Sequence, residues 1–322
     1  MRTEIGSEFW NVPQAEENNL FPRDVKWFLS GRSALYAIIR ENHFKTVAMP
    51  DWCCESMIKP FADNDIEILF YPAMQDVGDI SADALFIMDY FGYTGHSGRG
   101  NFKGTVIRDV THSLFSAAYD DADYYFGSLR KWAGFWTGGY AWGFKKSVEY
   151  SGCSSDYAFL RKKAMCNKEL YISEKSDSKD YLQQYEEAEE FLERVAVFPA
   201  AERDIELAGK IDVDFIRKQR KKNAQILTEA FPDITLFSTI KGTDCPMFVP
   251  ICVEKRDDLR RYLIQNEIYC PVHWPVSKFH KITKDSEKLY NHGLSLVCDQ
   301  RYTEEDMLRI VSTIKNFFCK GE

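Results

Sequence analysis

Between residues 30 and 145 short apolar runs alternate with amphipathic stretches, and this pattern limits the fold more than any other feature of the chain. Thr46 to Met49, Ile66 to Tyr71, Ala84 to Tyr90, Thr105 to Asp109 and Asp123 to Phe126 are all short and rich in apolar side chains. Continuous apolar runs of that length suit strands covered on both faces, as in a parallel sheet. Ser33 to Asn42 and Cys53 to Ala62 carry helical spacing instead. In the first of these Ala34, Leu35, Ala37, Ile38 and Ile39 supply an apolar face. Strands and helices in alternation predict an α/β fold, a mainly parallel sheet between helices with right-handed crossovers. Ligands of such sheets gather at the carboxyl ends of the strands. The residues that follow each apolar run are therefore where chemistry is sought.

Residues 155 to 230 read as helical and charged. The glutamates of Tyr181 to Val197 suit a solvated helix face. Phe215 to Phe231 reads as an amphipathic helix, and its basic run Arg217-Lys218-Gln219-Arg220-Lys221-Lys222 reads as solvated too. From residue 247 a smaller α+β unit is expected. Met247 to Val253 and Ile268 to Val272 are its strands. Lys255 to Asn266 and Thr303 to Phe318 are its helices, the last capped by Thr303 with Asp306 in the first turn. A chain of 322 residues is long enough for two units. The division expected is a large domain over 1–210 and a small C-terminal domain over 211–322.

Composition removes several classes of function. Hydrophobic residues at 45% and charged residues at 28% exclude a mostly disordered chain. Forty-one Lys+Arg against 49 Asp+Glu give a net charge of −8, which offers a nucleic-acid partner no support. No apolar run reaches the ~18 residues of a membrane helix. The first ten residues lack the apolar core of a signal peptide. A cytoplasmic protein without a membrane partner is expected. The nine cysteines include no CxxC pair, so buried thiols are expected rather than disulfides or zinc ligands. The six histidines, at 43, 96, 112, 273, 280 and 292, lack metal-ligand spacing, and no metal is expected. The glycines of residues 91–104 do not form a dinucleotide-binding fingerprint.

Four segments at strand ends carry candidate chemistry. Ser30-Gly31-Arg32-Ser33-Ala34 opens a helix whose N-terminus favours an anion, or Ser33 is simply its cap. Asp109 ends an apolar strand three residues before His112. Such an acid can hold a protonated ring nitrogen, or it can cap a helix. Lys131 stands among aromatic neighbours beside Arg130, a setting that lowers a lysine pKa and suits a nucleophilic amine, or it belongs to a surface Arg-Lys pair. Ser128, three residues earlier, is placed to bind phosphate. Gly138-Gly139 before an apolar strand allows close backbone approach, or makes a plain turn.

In this order the four segments resemble the fold-type-I enzymes that use pyridoxal 5'-phosphate (PLP), and the DegT/DnrJ/StrS aminotransferase family in particular. Asp109-Val110-Thr111-His112 is similar to the family's Asp-x-x-His/Gln motif, and Lys131 to its Schiff-base lysine. Gly31-Arg32-Ser33-Ala34-Leu35 resembles its phosphate loop. Pro50-Asp51-Trp52 resembles the segment that stacks a residue on the cofactor ring, which nominates Trp52. Phe126 stands where the family commonly has a phosphate-binding serine, so that role falls to Ser128.

The resemblance spans roughly residues 4 to 318. It implies that Lys131, Asp109 and His112 are catalytic. It implies that Gly31, Arg32, Ser33, Ala34, Trp52 and Ser128 help to bind PLP. Amino transfer from a donor such as glutamate to a keto acceptor, of the keto-sugar kind, would follow, in a homodimer. His273 and Arg301 are the candidate substrate contacts. Another PLP reaction on the same fold (a lyase, dehydratase or aldolase) or a non-catalytic relative is the alternative.

Overall fold

The computed structural model describes residues 3–75, 77–95, 98–116, 122–193 and 197–319, so His96 and the end of the glutamate-rich stretch lie outside the described residues. Its elements in chain order are β1 (Ile5–Gly6), β2 (Lys26–Phe28), α1 (Gly31–Asn42), β3 (Thr46–Pro50), α2 (Glu55–Ala62), β4 (Glu67–Tyr71), β5 (Ala84–Met88), β6 (Thr105–Asp109), β7 (Tyr124–Ser128) and β8 (Gly139–Trp142). They continue with α3 (Ser155–Ile172), α4 (Tyr181–Leu192), α5 (Glu202–Ala208), α6 (Val213–Ala230), β9 (Phe248–Cys252), α7 (Arg256–Gln265), β10 (Ile268–Tyr269), α8 (Lys284–His292), β11 (Gly293–Val297) and α9 (Glu304–Cys319).

The apolar runs of the first half become one seven-stranded sheet in the order β2-β8-β7-β6-β5-β3-β4. β4, β3, β5, β6 and β7 are mutually parallel, while β8 and β2 close one edge antiparallel. This is the α/β fold with a mainly parallel sheet that the sequence predicts. β5 shows why the pattern reads so clearly, since all five of its residues are buried between helices.

Two glycines set the spacing at the sheet's carboxyl edge. A Cβ on Gly139 would come within 2.2 Å of the Ser30 carbonyl oxygen, and one on Gly127 within 2.3 Å of the Tyr140 hydroxyl. The start of α1 is thereby drawn onto β7 and β8. The cap of α1 is Ser30 rather than Ser33: its side chain accepts from the Ser33 N–H at 3.1 Å, and helix begins at Gly31.

α3 and α4 form a hairpin beside the sheet. It buries Ala164, Met165, Tyr171, Tyr181 and Tyr185 with Trp10 and Trp136 against it. Glu186, Glu187 and Glu190 lie on the exposed face of α4, as the sequence suggests. The basic run in α6 behaves differently. Helical period turns Arg220 inward with Ile216 and Ala224, and Arg220 is 1% exposed. Its guanidinium stacks over Trp132 at 4.5 Å, so the run is not a single solvated face.

In the C-terminal part β9 and β11 pair antiparallel, and α6, α7 and α9 pack around them through Leu227, Leu259, Leu263, Met307 and Ile310. Thr303 donates its N–H to the Asp306 carboxylate at 2.8 Å, which fixes the start of α9. The amino-terminal strand crosses to this part of the molecule, where β1 pairs in parallel with β10. Among the described residues no helix is long and apolar enough to cross a membrane, and no cluster of side chains suits a metal ion.

Because the Gly139 contact is backbone on backbone, Gly139→Ala must push β8 and α1 apart. The expected cost is roughly 2–3 kcal/mol, the range of an overpacked core. Chemical denaturation read by tryptophan fluorescence checks it, with Gly242→Ala, where the added Cβ meets nothing within 4 Å, as the control.

Candidate active site

Parallel pairing of β6 with β7 sets Asp109 opposite Phe126, so the two strands end side by side. β6 stops at Asp109. β7 runs two residues further to Ser128 and turns at once into a 3₁₀ turn, Leu129–Lys131. The turn is anchored by Leu129 and Trp132, both fully buried, and by the Trp132 indole N–H donating to the Thr111 carbonyl at 2.6 Å. Lys131 itself is exposed and forms part of the wall of a cavity of about 480 Å³. Its apolar neighbours support the turn from below and do not seal the amine.

The cavity has four walls, one of them formed by Lys179, Tyr181 and Leu182 of the α3–α4 hairpin. The strand ends give Lys131, Arg130 and His112. The C-terminal part gives His273, Phe248, Arg260 and Arg301. The amino-terminal segment gives Glu4, Gly6, Ser7, Glu8 and Phe9.

Asp109 is 3% exposed, and its carboxylate accepts from the Thr111 N–H at 2.8 Å. Burial pushes its pKa up to about 6 against that hydrogen bond. A carboxylate held so is one that a protonated nitrogen would stabilise. His112 is buried, with Nδ1 unpartnered, and burial followed by the nearby His273 and Lys131 holds its pKa well below the ordinary value. His273 bonds Ser295 through Nδ1 at 2.8 Å, and burial takes its pKa down to about 3. Both imidazoles are neutral at pH 7 and available as hydrogen-bonding groups.

The phosphate-loop residues divide in a way the sequence did not reveal. Gly31 packs on Gly127 and Ser128, where a Cβ would lie 3.7 Å from that of Ser128. The Ser128 hydroxyl is buried and has no partner. The N–H groups of Ser33 and Ala34 are already taken by the Ser30 hydroxyl and carbonyl. Those of Gly31 and Arg32, in the first turn of α1, need acceptors from outside the helix. The Arg32 side chain points elsewhere, to Glu193 at 2.9 Å and the Leu192 carbonyl. An anion at this spot would meet two backbone N–H groups, the helix N-terminus and the Ser128 hydroxyl.

Trp52 is a core residue. It is 2% exposed, stacks on Tyr90 at 5.1 Å, gives its indole N–H to the His273 carbonyl, and is not on the cavity wall. The ring stacked on His112 is Trp274, at 5.6 Å and 18°. Cys54, two residues beyond Trp52, is close enough to Asp109 and Lys131 to feel both charges.

Arg301 lies on the cavity wall but is committed. It grips Asp299 with two bonds of 2.9 and 2.8 Å, and reaches the Glu8 and Ser7 carbonyls. Sequence reading overlooked Glu8, Lys179 and Arg220, which also line the cavity. Neither spacing nor composition marked Glu8, whereas the inward turn of Arg220 was legible in the period of α6. Six cationic side chains line the cavity, Arg130, Lys131, Lys179, Arg220, Arg260 and Arg301, against the carboxylates Glu4, Glu8 and Asp299. The cavity is therefore electropositive in a chain of net charge −8.

An amine on a turn, a buried acid beside it, neutral imidazoles and a helix start with N–H groups open to an anion together fit PLP. The unpartnered Ser128 hydroxyl and His112 Nδ1 are the groups that its phosphate and ring oxygens would satisfy.

The fold is that of the fold-type-I transferases. Within that class it matches solved aminotransferases of the DegT/DnrJ/EryC1/StrS kind. A DegT/DnrJ/EryC1/StrS aminotransferase from Brucella abortus superposes with a TM-score of 0.62 at 13% identity, over 91% of this chain and 85% of the other. PseC of Helicobacter pylori, an aminotransferase involved in the biosynthesis of pseudoaminic acid, gives 0.65 at 13% identity over 98% and 100%. A Streptococcus pneumoniae protein assigned as a sugar aminotransferase, solved in its PLP form, gives 0.59 at 12% identity over 91% and 86%. No family profile matches the sequence. No curated protein aligns with it significantly.

Asp109 supplies a pH test in the protein without cofactor. Its folded pKa of about 6 lies above the ordinary 3.8, so its contribution to stability is full below pH 4 and is lost as pH rises through 6. That shift corresponds to about 3 kcal/mol. Asp109→Asn avoids the loss. Melting curves should show the variant more stable than wild type at pH 7 to 8, with the gap closing as pH falls toward 4.

Proposed function

We propose that this chain is a PLP-dependent aminotransferase that moves an amino group from an amino acid such as glutamate to a keto acceptor, a keto-sugar or nucleotide-linked keto-sugar. The observation that carries the reading is the convergence of Lys131, Asp109 and the unpartnered Ser128 hydroxyl at two adjacent strand ends beside an electropositive cavity. The fold shared with PseC and its fellows supports the same chemistry.

PLP, when bound, supplies an electron sink that lets an amino acid lose a proton next to its nitrogen. The chain's own residues do the rest. Lys131 would supply the amine that holds the cofactor, and the same amine is the base placed to move that proton. Asp109 keeps the pyridine nitrogen protonated, which its buried position makes more effective than a carboxylate in water would be. His112 would offer the cofactor a neutral hydrogen-bonding group through its unpartnered Nδ1. Gly31, Arg32 and Ser128 take the phosphate at the start of α1. His273 is the substrate contact favoured by its place on the cavity wall, while Arg301 acts through the segment it braces.

The cavity's positive sign favours acidic substrates, which suits both a dicarboxylate donor and a phosphorylated acceptor. The reading also takes the enzyme to be a cytoplasmic homodimer.

Purified protein mixed with PLP should show a visible absorbance band that borohydride fixes as a mass adduct on the peptide containing Lys131. Lys131→Ala should lose the band, the adduct and the glutamate half-reaction while keeping the wild-type circular dichroism spectrum. A wild-type protein with no band, or an adduct that survives the substitution, refutes the reading.

A further inference from the structure

The amino-terminal segment is held in a conformation that costs free energy, and it is held there from several sides. Gly6 and Ser7 both have positive φ, +100° and 69°. A non-glycine residue in that region is strained, and such strain persists only where the surroundings over-determine it. Here they do. Gly6 donates its N–H to the Tyr302 hydroxyl at 2.7 Å, and its approach to Tyr269 leaves no room for a Cβ, which would sit 2.4 Å from the Tyr269 carbonyl oxygen. Arg301 donates to the carbonyls of Ser7 and Glu8, both at 3.1 Å. Lys168, wholly buried, pairs with Glu4 and reaches the Ser7 hydroxyl at 3.4 Å. Packing alone does not require a strained turn fixed from α3, the β11–α9 connection and β10. The turn puts the Glu8 side chain on the cavity wall, next to Ser7 and Phe9.

The Glu8 carboxylate faces Lys131's side of the space. Burial would raise its pKa, but Arg161 and then Lys131 draw it down below the ordinary value, so it is ionised at pH 7. One oxygen, Oε2, accepts from Arg161 at 3.1 Å. The other has no partner among the described residues, and 44% of the side chain is open. Glu8 is thus a fixed anion with a free acceptor oxygen in a cavity otherwise dominated by cations.

We infer that Glu8 is a specificity-determining residue that discriminates among bound substrates by charge, accepting a hydrogen bond from a hydroxyl or amide N–H and opposing a carboxylate in the same position. The inference rests on the aminotransferase reading. It accounts for the cost of the turn: strain at Gly6-Ser7 aims a negative charge where the other walls would accept any anion.

The test compares two amino donors of nearly equal shape that differ by one charge, L-glutamate and L-glutamine, in single half-reactions of the PLP-loaded enzyme. Glu8→Gln keeps the size of the side chain and an acceptor for Arg161. It should shift the ratio of kcat/KM for glutamate over glutamine by about five- to tenfold toward glutamate, mainly through KM, with kcat changed less than about twofold, as befits lost ground-state repulsion. Circular dichroism and the absorbance band on Lys131 show whether the variant is folded and loaded. Should it fail either, Glu8→Asp, which keeps the charge but withdraws it, should shift the ratio in the same direction by a smaller factor. A ratio unchanged within twofold in a loaded variant overturns the inference and leaves the aminotransferase reading intact. A loaded wild type that converts neither donor overturns the inference together with the glutamate-donor reading on which it rests. A wild type that takes up no PLP fails the reading itself.

Discussion

The register between β6 and β7 is the constraint on which the site depends. Backbone hydrogen bonds in a parallel pair fix which residues end together, and here they put Asp109 and the Ser128–Lys131 turn at the same edge. Nothing in the local sequence of either strand could achieve this alone, because the two segments are joined by a long crossover. Once the register is set, the rest follows by short contacts. Gly127 and Gly139 admit Tyr140 and Ser30 to within van der Waals limits, so the N-terminus of α1 arrives beside Ser128. Trp132 ties the turn to the residues just beyond Asp109. A one-residue slip would point Asp109 to the other face of the sheet and separate the acid from the amine.

Electrostatics within the cavity is a matter of which charges are already spent. Arg130 is taken by Glu189 at 2.6 Å and by the Tyr157 hydroxyl, and Arg301 by Asp299. Arg220 is held by Gln300 and the Met247 carbonyl. These guanidinium groups give the cavity its sign, yet most of their hydrogen-bonding capacity is directed into the protein. They act as a rigid positive background, whereas Lys131 is exposed on the wall and Arg260 spends one bond, on the Cys270 carbonyl. Against that background a buried carboxyl such as Asp109 keeps a high proton affinity because burial penalises its charged form, while the hydrogen bonds from Thr111 pull the other way and Lys131 counts only as a minor influence on it.

How much of this was legible in the sequence depends on the range of the interaction. Local patterns served well. The apolar runs gave the parallel strands, Asp109 and Lys131 lay at strand ends as expected, and the solvated glutamates of α4 followed from helical spacing. Where two partners distant in sequence compete for the same group, sequence reading failed. Ser33 looked like a cap, but Ser30 reaches the N–H first. Trp52 looked free to stack on a ligand, but Tyr90 and the His273 carbonyl occupy its face and its N–H. Arg220 was grouped with its exposed neighbours, although the positions four residues before and after it, Ile216 and Ala224, are buried apolar residues. α8 escaped notice because its nine residues carry few apolar positions, and β11 because Gly293 and Ser295 interrupt its apolar run.

The amino-terminal segment is the clearest case of long-range determination. Residues 4 to 9 have no periodicity that marks them, and by themselves they would not fold. Their conformation is imposed by Tyr302 and Arg301, nearly 300 positions away, by Lys168 on α3, and by pairing with β10. Each of those anchors is itself buried or nearly so, and each would be left with unsatisfied polar groups if the segment withdrew. Lys168 would lose Glu4 as the partner of a buried ammonium, and Arg161 would lose Glu8. Removing one partner from such a pair costs far more than forming it returns. The segment is therefore firmly placed, by these polar anchors together with the burial of Ile5 and Phe9. That is why a wall of the cavity can be built from the end of the chain, and why the carboxylate it presents is fixed in position rather than left to find its own.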